Sequence, residues 1–131
     1  MSQTPTKPIN ILILGHSPQA TDVIATLLQG QPGFLLSVSR VAYGEATRSA
    51  KEVEPDVILL LADALEASDP IVAIEEITDT VPGAAIIVLT NDTHHTMRDY
   101  QIAGARDCLI PPYEREAIAA SVHQAYALER K

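Results

Sequence analysis

The stretch that decides the fold is Ala103-Gly104-Ala105-Arg106-Asp107-Cys108-Leu109-Ile110-Pro111-Pro112-Tyr113. Its order predicts the end of a helix, a tight turn, a short buried strand and a loop that opens a last helix. Gly104 can adopt the positive φ that a helix C-terminus often needs. Cys108 to Ile110 form a short apolar run suited to a strand inside a sheet. Because Pro111-Pro112 cannot donate to a strand ladder, we expect the strand to end there.

Outward from this stretch, apolar runs alternate with helical patterns along the chain. Most of these runs are apolar on nearly every residue, which is typical of parallel strands covered on both faces. The second run carries Ser37, Ser39 and Arg40, which favours an edge position. The expected strands are residues 9–14, 34–41, 56–62, 84–89 and 107–110, and the expected helices are residues 18–29, 43–53, 69–80, 94–103 and 113 to the end.

Helix signals and apolar spacing predict which side chains face the core. Ser17 and Pro18 are a favourable N-cap and first residue for the first helix. In the three strands of continuous apolar character, Ile13, Leu59 and Val88 should be almost fully buried. The helical residues expected to face inward are Val23, Ile24, Leu27 and Leu28 in the first helix, and Ala46, Ala50 and Val53 in the second.

Five strand–helix units with short connections predict an α/β fold. We expect a flavodoxin-like, doubly wound parallel sheet of five strands in the order 2-1-3-4-5, with helices on both faces. Residues 1–8 are polar with two prolines and are expected to form a flexible tail. Residues 9–131 should form a single domain.

Composition limits the classes of function. The chain has 131 residues, 47% of them hydrophobic and 20% charged, as expected for one globular domain. A formal net charge of −8 argues against binding nucleic acid through a basic surface. The single cysteine, Cys108, cannot form an internal disulfide, and no apolar run is long enough to span a bilayer. We therefore expect a cytoplasmic protein with no membrane insertion.

The closing stretch resembles a segment of the receiver domains of two-component response regulators. That segment has the pattern Ala-Gly-Ala-(Arg/Asp)-Asp-(Tyr/Phe)-(Leu/Ile)-x-Lys-Pro-Phe, and the resemblance extends over about residues 9–128. Receivers carry an acidic pair after the first strand, a phosphate-accepting aspartate at the end of the third, a Thr or Ser after the fourth and a lysine after the fifth. The carboxylates hold Mg²⁺, which prefers oxygen ligands, and the aspartate is the nucleophile.

At the matching positions this chain lacks most of that chemistry. Gly15 and His16 replace the acidic pair, and Leu61 lies at the acceptor position. Thr90 matches the family's hydroxyl, whereas Pro111 replaces the lysine. The resemblance therefore implies a degenerate receiver, or pseudo-receiver, with the receiver fold but no phosphotransfer. We expect it to be no enzyme, with no catalytic residue, metal or cofactor.

Two alternatives use the same end of the sheet. Asp63 lies two residues past Leu61, on the same side of an extended strand, and a bulge could bring it to the pocket as a displaced phosphorylation site. Cobalamin-binding domains share this sheet and place Asp-x-His-x-x-Gly after the first strand. Here His16 stands in Leu14-Gly15-His16-Ser17-Pro18-Gln19, which lacks both the Asp and the Gly. A small-ligand sensor that uses His16 is the corresponding hypothesis.

The run from Met97 to Asp107 is similar to the atypical receiver domains of CpaE/TadZ-type pilus-assembly proteins, which precede a ParA/MinD-like ATPase domain. That similarity implies a protein–protein interaction module. Receivers often dimerise through the fourth helix, fifth strand and fifth helix, so we expect a constitutive homodimer. In the alternative, Met97 and Tyr100 pack inward and the charges are only solvated. The candidate interface residues are Met97, Arg98, Tyr100, Gln101, Arg106, Asp107, Arg115 and Glu116.

Overall fold

A computed structural model of the chain describes residues 8–41, 45–62, 70–90 and 96–129. The predicted N-terminal tail, residues 1–8, therefore lies outside the described residues except for Pro8, which is exposed. Five strands alternate with five helices in the described part. The strands are β1 (Ile9–Gly15), β2 (Phe34–Arg40), β3 (Val57–Ala62), β4 (Ala85–Thr90) and β5 (Asp107–Leu109). The helices are α1 (Pro18–Leu28), α2 (Ala46–Val53), α3 (Pro70–Thr80), α4 (Met97–Ala103) and α5 (Arg115–Glu129).

The five strands form one parallel sheet in the order β2-β1-β3-β4-β5, which confirms the predicted flavodoxin-like topology. In the centre of the sheet Ile13 pairs with Leu59, and Leu59 pairs with Ile87. β2 is at one edge, as Ser37, Ser39 and Arg40 indicated. Because all strands are parallel, their carboxyl ends meet at one edge of the sheet, where a ligand is expected in this class of fold.

Hydrophobic clusters cover both faces of the sheet, because the apolar strands direct alternate side chains to opposite sides. Ile13, Leu59 and Val88 have 0% exposure, as predicted. One face packs against α2, α3 and α4, and the other against α1 and α5. No helix in the described part of the chain is both long and apolar enough to cross a membrane.

Capping residues determine where two of the helices begin. The Ser17 hydroxyl accepts a hydrogen bond from the backbone N–H of Ala20 at 3.2 Å, with Pro18 as the first helical residue. Thr96 and Asp99 form a reciprocal capping box. For this reason α4 begins at Met97 and not at residue 94 as predicted, and residues 91–95 lie outside the described residues.

Several predicted inward-facing or strand residues are in fact exposed. Val23 is 56% exposed, because the stripe of α1 that faces the sheet consists of Thr21, Ile24 and Leu28. Val53, the last residue of the short helix α2, is 37% exposed. Ile110 lies beyond the end of β5 and is 70% exposed, so the predicted strand was one residue too long.

Gly104 ends α4 as predicted, with a φ of 134° that a residue with a side chain rarely adopts. A Cβ atom at this position would also lie 2.3 Å from Oγ1 of Thr78 on α3. The glycine therefore provides both the turn into β5 and the close approach of α4 to α3.

Candidate functional site

The residues that stand at the receiver's reactive positions lie together at the carboxyl edge of the sheet. Gly15 ends β1, Leu61 is the next-to-last residue of β3, and Thr90 ends β4 beside Ala62. Pro111 follows β5 after Ile110. Gly15 packs against Leu61, and Leu61 and Pro111 line one cleft, whereas Asp63 lies outside the described residues.

Gly15 has no room for a side chain. A Cβ atom built on it would lie 2.9 Å from Cγ2 of Thr21 and 3.2 Å from Cβ of Leu61. Both distances are shorter than ordinary contacts between carbon atoms, which lie near 3.5–4.0 Å. A carboxylate at this position would displace α1 or β3. The first acidic position of a receiver is therefore closed here as well as unoccupied by an acid.

Thr21 is held in place by its own hydroxyl. Its Oγ1 lies 3.2 Å from the carbonyl oxygen of Ser17 and 3.0 Å from that of Pro18, and the residue has 0% exposure. Because the hydroxyl is directed to the first turn of α1, the methyl group of Thr21 packs against Gly15. Sequence analysis did not identify Thr21, because its role depends on the distance between α1 and β1.

Leu61, which the resemblance to receivers predicts at the phosphate-accepting position, has an aliphatic side chain. It is 8% exposed and belongs to the cluster between the sheet and helices α1 and α5. Thr90 is 2% exposed, and His16, after β1, is exposed. Over the described residues there is no group of three or more His, Cys, Asp and Glu side chains that could hold a metal ion.

Beside these residues an apolar cleft of about 220 Å³ opens between α1 and the segment that leads into α5. His16 is not among the described residues that line it. The lining residues are Ala20, Val23 and Ile24 of α1, Leu61 and Ala62 of β3, Leu89 of β4, and Pro111 and Tyr113.

Burial, with a smaller effect from Cys108, raises the pKa of the Tyr113 phenol to about 12. Burial, and secondarily Asp107, also raises the pKa of the Cys108 thiol. Both side chains are therefore neutral near pH 7.

The structure changes the candidate interface. The expectation that Tyr100 is exposed is wrong, because its side chain has 0% exposure and packs in the cluster under α3 and α4. Met97 remains 48% exposed. The Arg115 side chain is directed toward α1, where Nε donates to the carbonyl oxygen of Leu27 at 2.8 Å. Asp107 accepts a hydrogen bond from the Ser121 hydroxyl at 2.6 Å. The other candidates, Arg98, Gln101, Arg106 and Glu116, are exposed.

Two exposed apolar side chains in this part of the chain were missed. Ile102 on α4 is 74% exposed, and Ile110 after β5 is 70% exposed. The sequence could have indicated the exposure of Ile102, because residues two positions apart on a helix, such as Tyr100 and Ile102, point about 200° apart. A buried Tyr100 therefore turns Ile102 to solvent.

No protein-family model matches this chain, and comparison with curated proteins gave no match. Solved structures do match. A protein from Burkholderia pseudomallei described as pilus assembly-related superposes with a TM-score of 0.81, at 22% identity and 96% coverage of each chain. The pilus assembly protein CpaE of Burkholderia thailandensis gives a TM-score of 0.77 at 20% identity, over 91% of this chain and 98% of that one.

A receiver domain of a Pseudomonas aeruginosa sensor histidine kinase matches with a TM-score of 0.74 at 25% identity, over 92% of this chain and 98% of that one. The fold is that of a receiver domain. In the Pseudomonas structure a magnesium ion is coordinated in the active-site cleft. At the corresponding edge this receiver fold presents Gly15, Leu61 and Pro111.

Proposed function

We propose that this chain is a pseudo-receiver, which does not accept phosphate and acts as a protein–protein interaction module. The observation that carries this proposal is the closed position at Gly15, where a Cβ atom would lie 2.9 Å from Thr21 and 3.2 Å from Leu61. Thr21 of α1 and Leu61 of β3 thus crowd the place where the first carbon of an acidic side chain would lie.

The chemistry of phosphoryl transfer supports the same proposal. Transfer to an aspartate needs a nucleophile, a cation that neutralises phosphate charge and a positive side chain near the product. Leu61 supplies no nucleophile, and Pro111 supplies no charge. The cleft between them is apolar, so a bound phosphate would be desolvated without a partner. Phosphorylation at Asp63 is the competing hypothesis, and it would need a cation site from residues other than these.

We propose that the interaction surface is formed by α4, β5 and the exposed face of α5. Three apolar side chains on it are largely exposed, namely Met97, Ile102 and Ile110 at 48%, 74% and 70%. A patch of exposed apolar side chains favours an interface, and we propose that these three residues contribute to one. Exposed ion pairs contribute only about 0–1 kcal/mol each. The apolar residues should therefore dominate affinity, with Arg98, Gln101, Arg106, Asp107 and Glu116 at the rim. The partner is a second copy of the chain, and association is constitutive because its receiver trigger is missing.

A role next to a pilus-assembly or localisation ATPase is the more specific form of this proposal. It is supported by the similarity to the two Burkholderia pilus-assembly structures, one of them at a TM-score of 0.81. In this form of the proposal, residues 9–131 are one receiver-like domain that recruits or orients the ATPase in the cytoplasm.

Sedimentation velocity over a concentration series tests the association. We expect a dimer that Ile102→Glu shifts to monomer, because the substitution places a carboxylate at the most exposed apolar position of the surface. Val72→Glu is the matched control, since Val72 is also exposed, at 49%, but lies on α3. Acetyl phosphate with Mg²⁺ should leave the distribution unchanged. A monomer at all concentrations, or a dimer that requires acetyl phosphate, would contradict the proposal.

A further inference from the structure

The apolar cleft at the carboxyl edge of the sheet has no role in the interaction surface proposed above. α1, β3, β4 and the segment before α5 all contribute to its walls, through residues such as Ile24, Leu61, Leu89 and Tyr113. It lies where ligands bind in parallel α/β sheets. Its position, at an open cleft with walls from several elements, is that of a ligand site.

The lining determines the charge of a suitable ligand. Among the described residues that line the cleft none carries a charge, and the only ionisable one is Tyr113. Its phenol, whose pKa burial raises from the ordinary value near 10 to about 12, is neutral near pH 7. A charged ligand would lose its hydration in the cleft without gaining an ion pair, which costs several kcal/mol or more. The lining therefore selects a neutral molecule.

The volume determines the size of that molecule. An apolar cavity of about 150 Å³ holds benzene, which has about six non-hydrogen atoms. At the same volume per atom, the cleft of about 220 Å³ has room for about nine non-hydrogen atoms. That is the size of two fused aromatic rings or a compact branched aliphatic group.

We propose that the cleft binds a small, neutral, predominantly apolar molecule, of about the size of two fused rings, between α1 and the segment that leads into α5. Such a ligand would contact Leu61 at the position where a receiver carries its phosphate. It would also cover Val23, which is 56% exposed at the rim. This inference deepens the proposed function, because it gives the unphosphorylated module a chemical input. It can fail while the association holds, since binding and oligomeric state are measured separately.

Indole is a suitable probe, because it is neutral and has about nine non-hydrogen atoms. We expect saturable ¹⁵N–¹H shifts at the amides of Ala20, Ile24 and Leu61 in the whole chain, with a Kd on the order of 1 mM or lower. Indole-3-carboxylate should bind at least about tenfold more weakly than indole-3-carboxamide, which has the same size and no charge, because the ionised group has no partner in the described lining.

Two variants locate the site. Ala20→Leu adds three carbons inside the cleft and should raise the Kd for indole at least about tenfold by occupying its volume. Because that substitution could also disturb α1, Val23→Glu provides a second variant on an exposed residue, and Val72→Glu on α3 is its control. We expect Val23→Glu to weaken binding and Val72→Glu to leave it unchanged. The proposal is overturned by the absence of saturable shifts in the unmodified chain, by equal binding of indole-3-carboxylate and indole-3-carboxamide, or by unchanged binding in folded Ala20→Leu.

Discussion

Adding a single methyl group at Gly15 should destabilise this protein measurably. In Gly15→Ala the new Cβ lies 2.9 Å from Cγ2 of Thr21 and 3.2 Å from Cβ of Leu61. Neither neighbour can rotate away easily. The Thr21 hydroxyl is within hydrogen-bonding distance of the Ser17 and Pro18 carbonyl oxygens, and the backbone of a central strand fixes the position of the Leu61 Cβ.

The magnitude follows from two opposing effects. Overpacking a well-filled core costs typically about 1–3 kcal/mol. Replacing glycine reduces the entropy of the unfolded chain, which raises the unfolding free energy by about 0.4–1 kcal/mol. The expected net loss of unfolding free energy is therefore about 1 kcal/mol, within limits of about 0 and 2.6 kcal/mol. Gly15→Asp should cost more, because it also buries a carboxylate beside Leu61 without a cation.

Urea unfolding followed by circular dichroism measures this loss, and a second substitution identifies its cause. Thr21→Ser removes Cγ2, the nearer clashing atom, and keeps the hydroxyl. In the double variant the two effects should couple favourably by about 0.5–2 kcal/mol. Gly83→Ala is the matched control, because no atom lies within 4 Å of a Cβ built there. Equal stability of Gly15→Ala and Gly83→Ala, or purely additive effects of Gly15→Ala and Thr21→Ser, would refute the reasoning.

Two further predictions concern tyrosines. Tyr100 has 0% exposure, so Tyr100→Ala should lower the unfolding free energy by about 3–5 kcal/mol, as other buried aromatic deletions do; a variant with native urea stability would place Tyr100 outside the core. The folded-state pKa of Tyr113, about 12, exceeds the unfolded value near 10, so the folded state holds the phenolic proton more tightly. Its contribution to stability should be complete below pH 10 and decline as pH rises from about 10 to about 12, and Tyr113→Phe should remove that decline. An identical pH dependence in the Phe variant would show that the phenol is not responsible.

The sheet could be predicted because its evidence is local in sequence. Val57–Ala62 is apolar at every position, which only a strand covered on both faces requires, and Ser37 and Ser39 mark the edge strand. The end of β5 at Pro111 follows from the missing backbone donor. Helix faces were less certain, since α1 has enough apolar residues for more than one stripe and the sheet selects Ile24 and Leu28 while Val23 is left exposed.

The identity of the site residues could also be predicted, but their packing could not. The replacements at Gly15, Leu61 and Pro111 are visible in the sequence alone. That Thr21 closes the space beside Gly15 depends on how near α1 approaches β1, which no local pattern specifies. The same holds for Tyr100, which the resemblance to receivers placed on the dimerisation surface. In the structure Tyr100 packs with Ala103 in the core, while Met97, the first residue of α4, is left exposed.

Intact-mass measurement tests most directly the proposal that this receiver fold does not accept phosphate. The whole chain is incubated with acetyl phosphate and Mg²⁺, beside a receiver that has its acidic residues as a positive control. We expect an unchanged mass for this chain under conditions that phosphorylate the control. A gain of one phosphate that is lost in Asp63→Asn would contradict it and assign the acceptor to that residue.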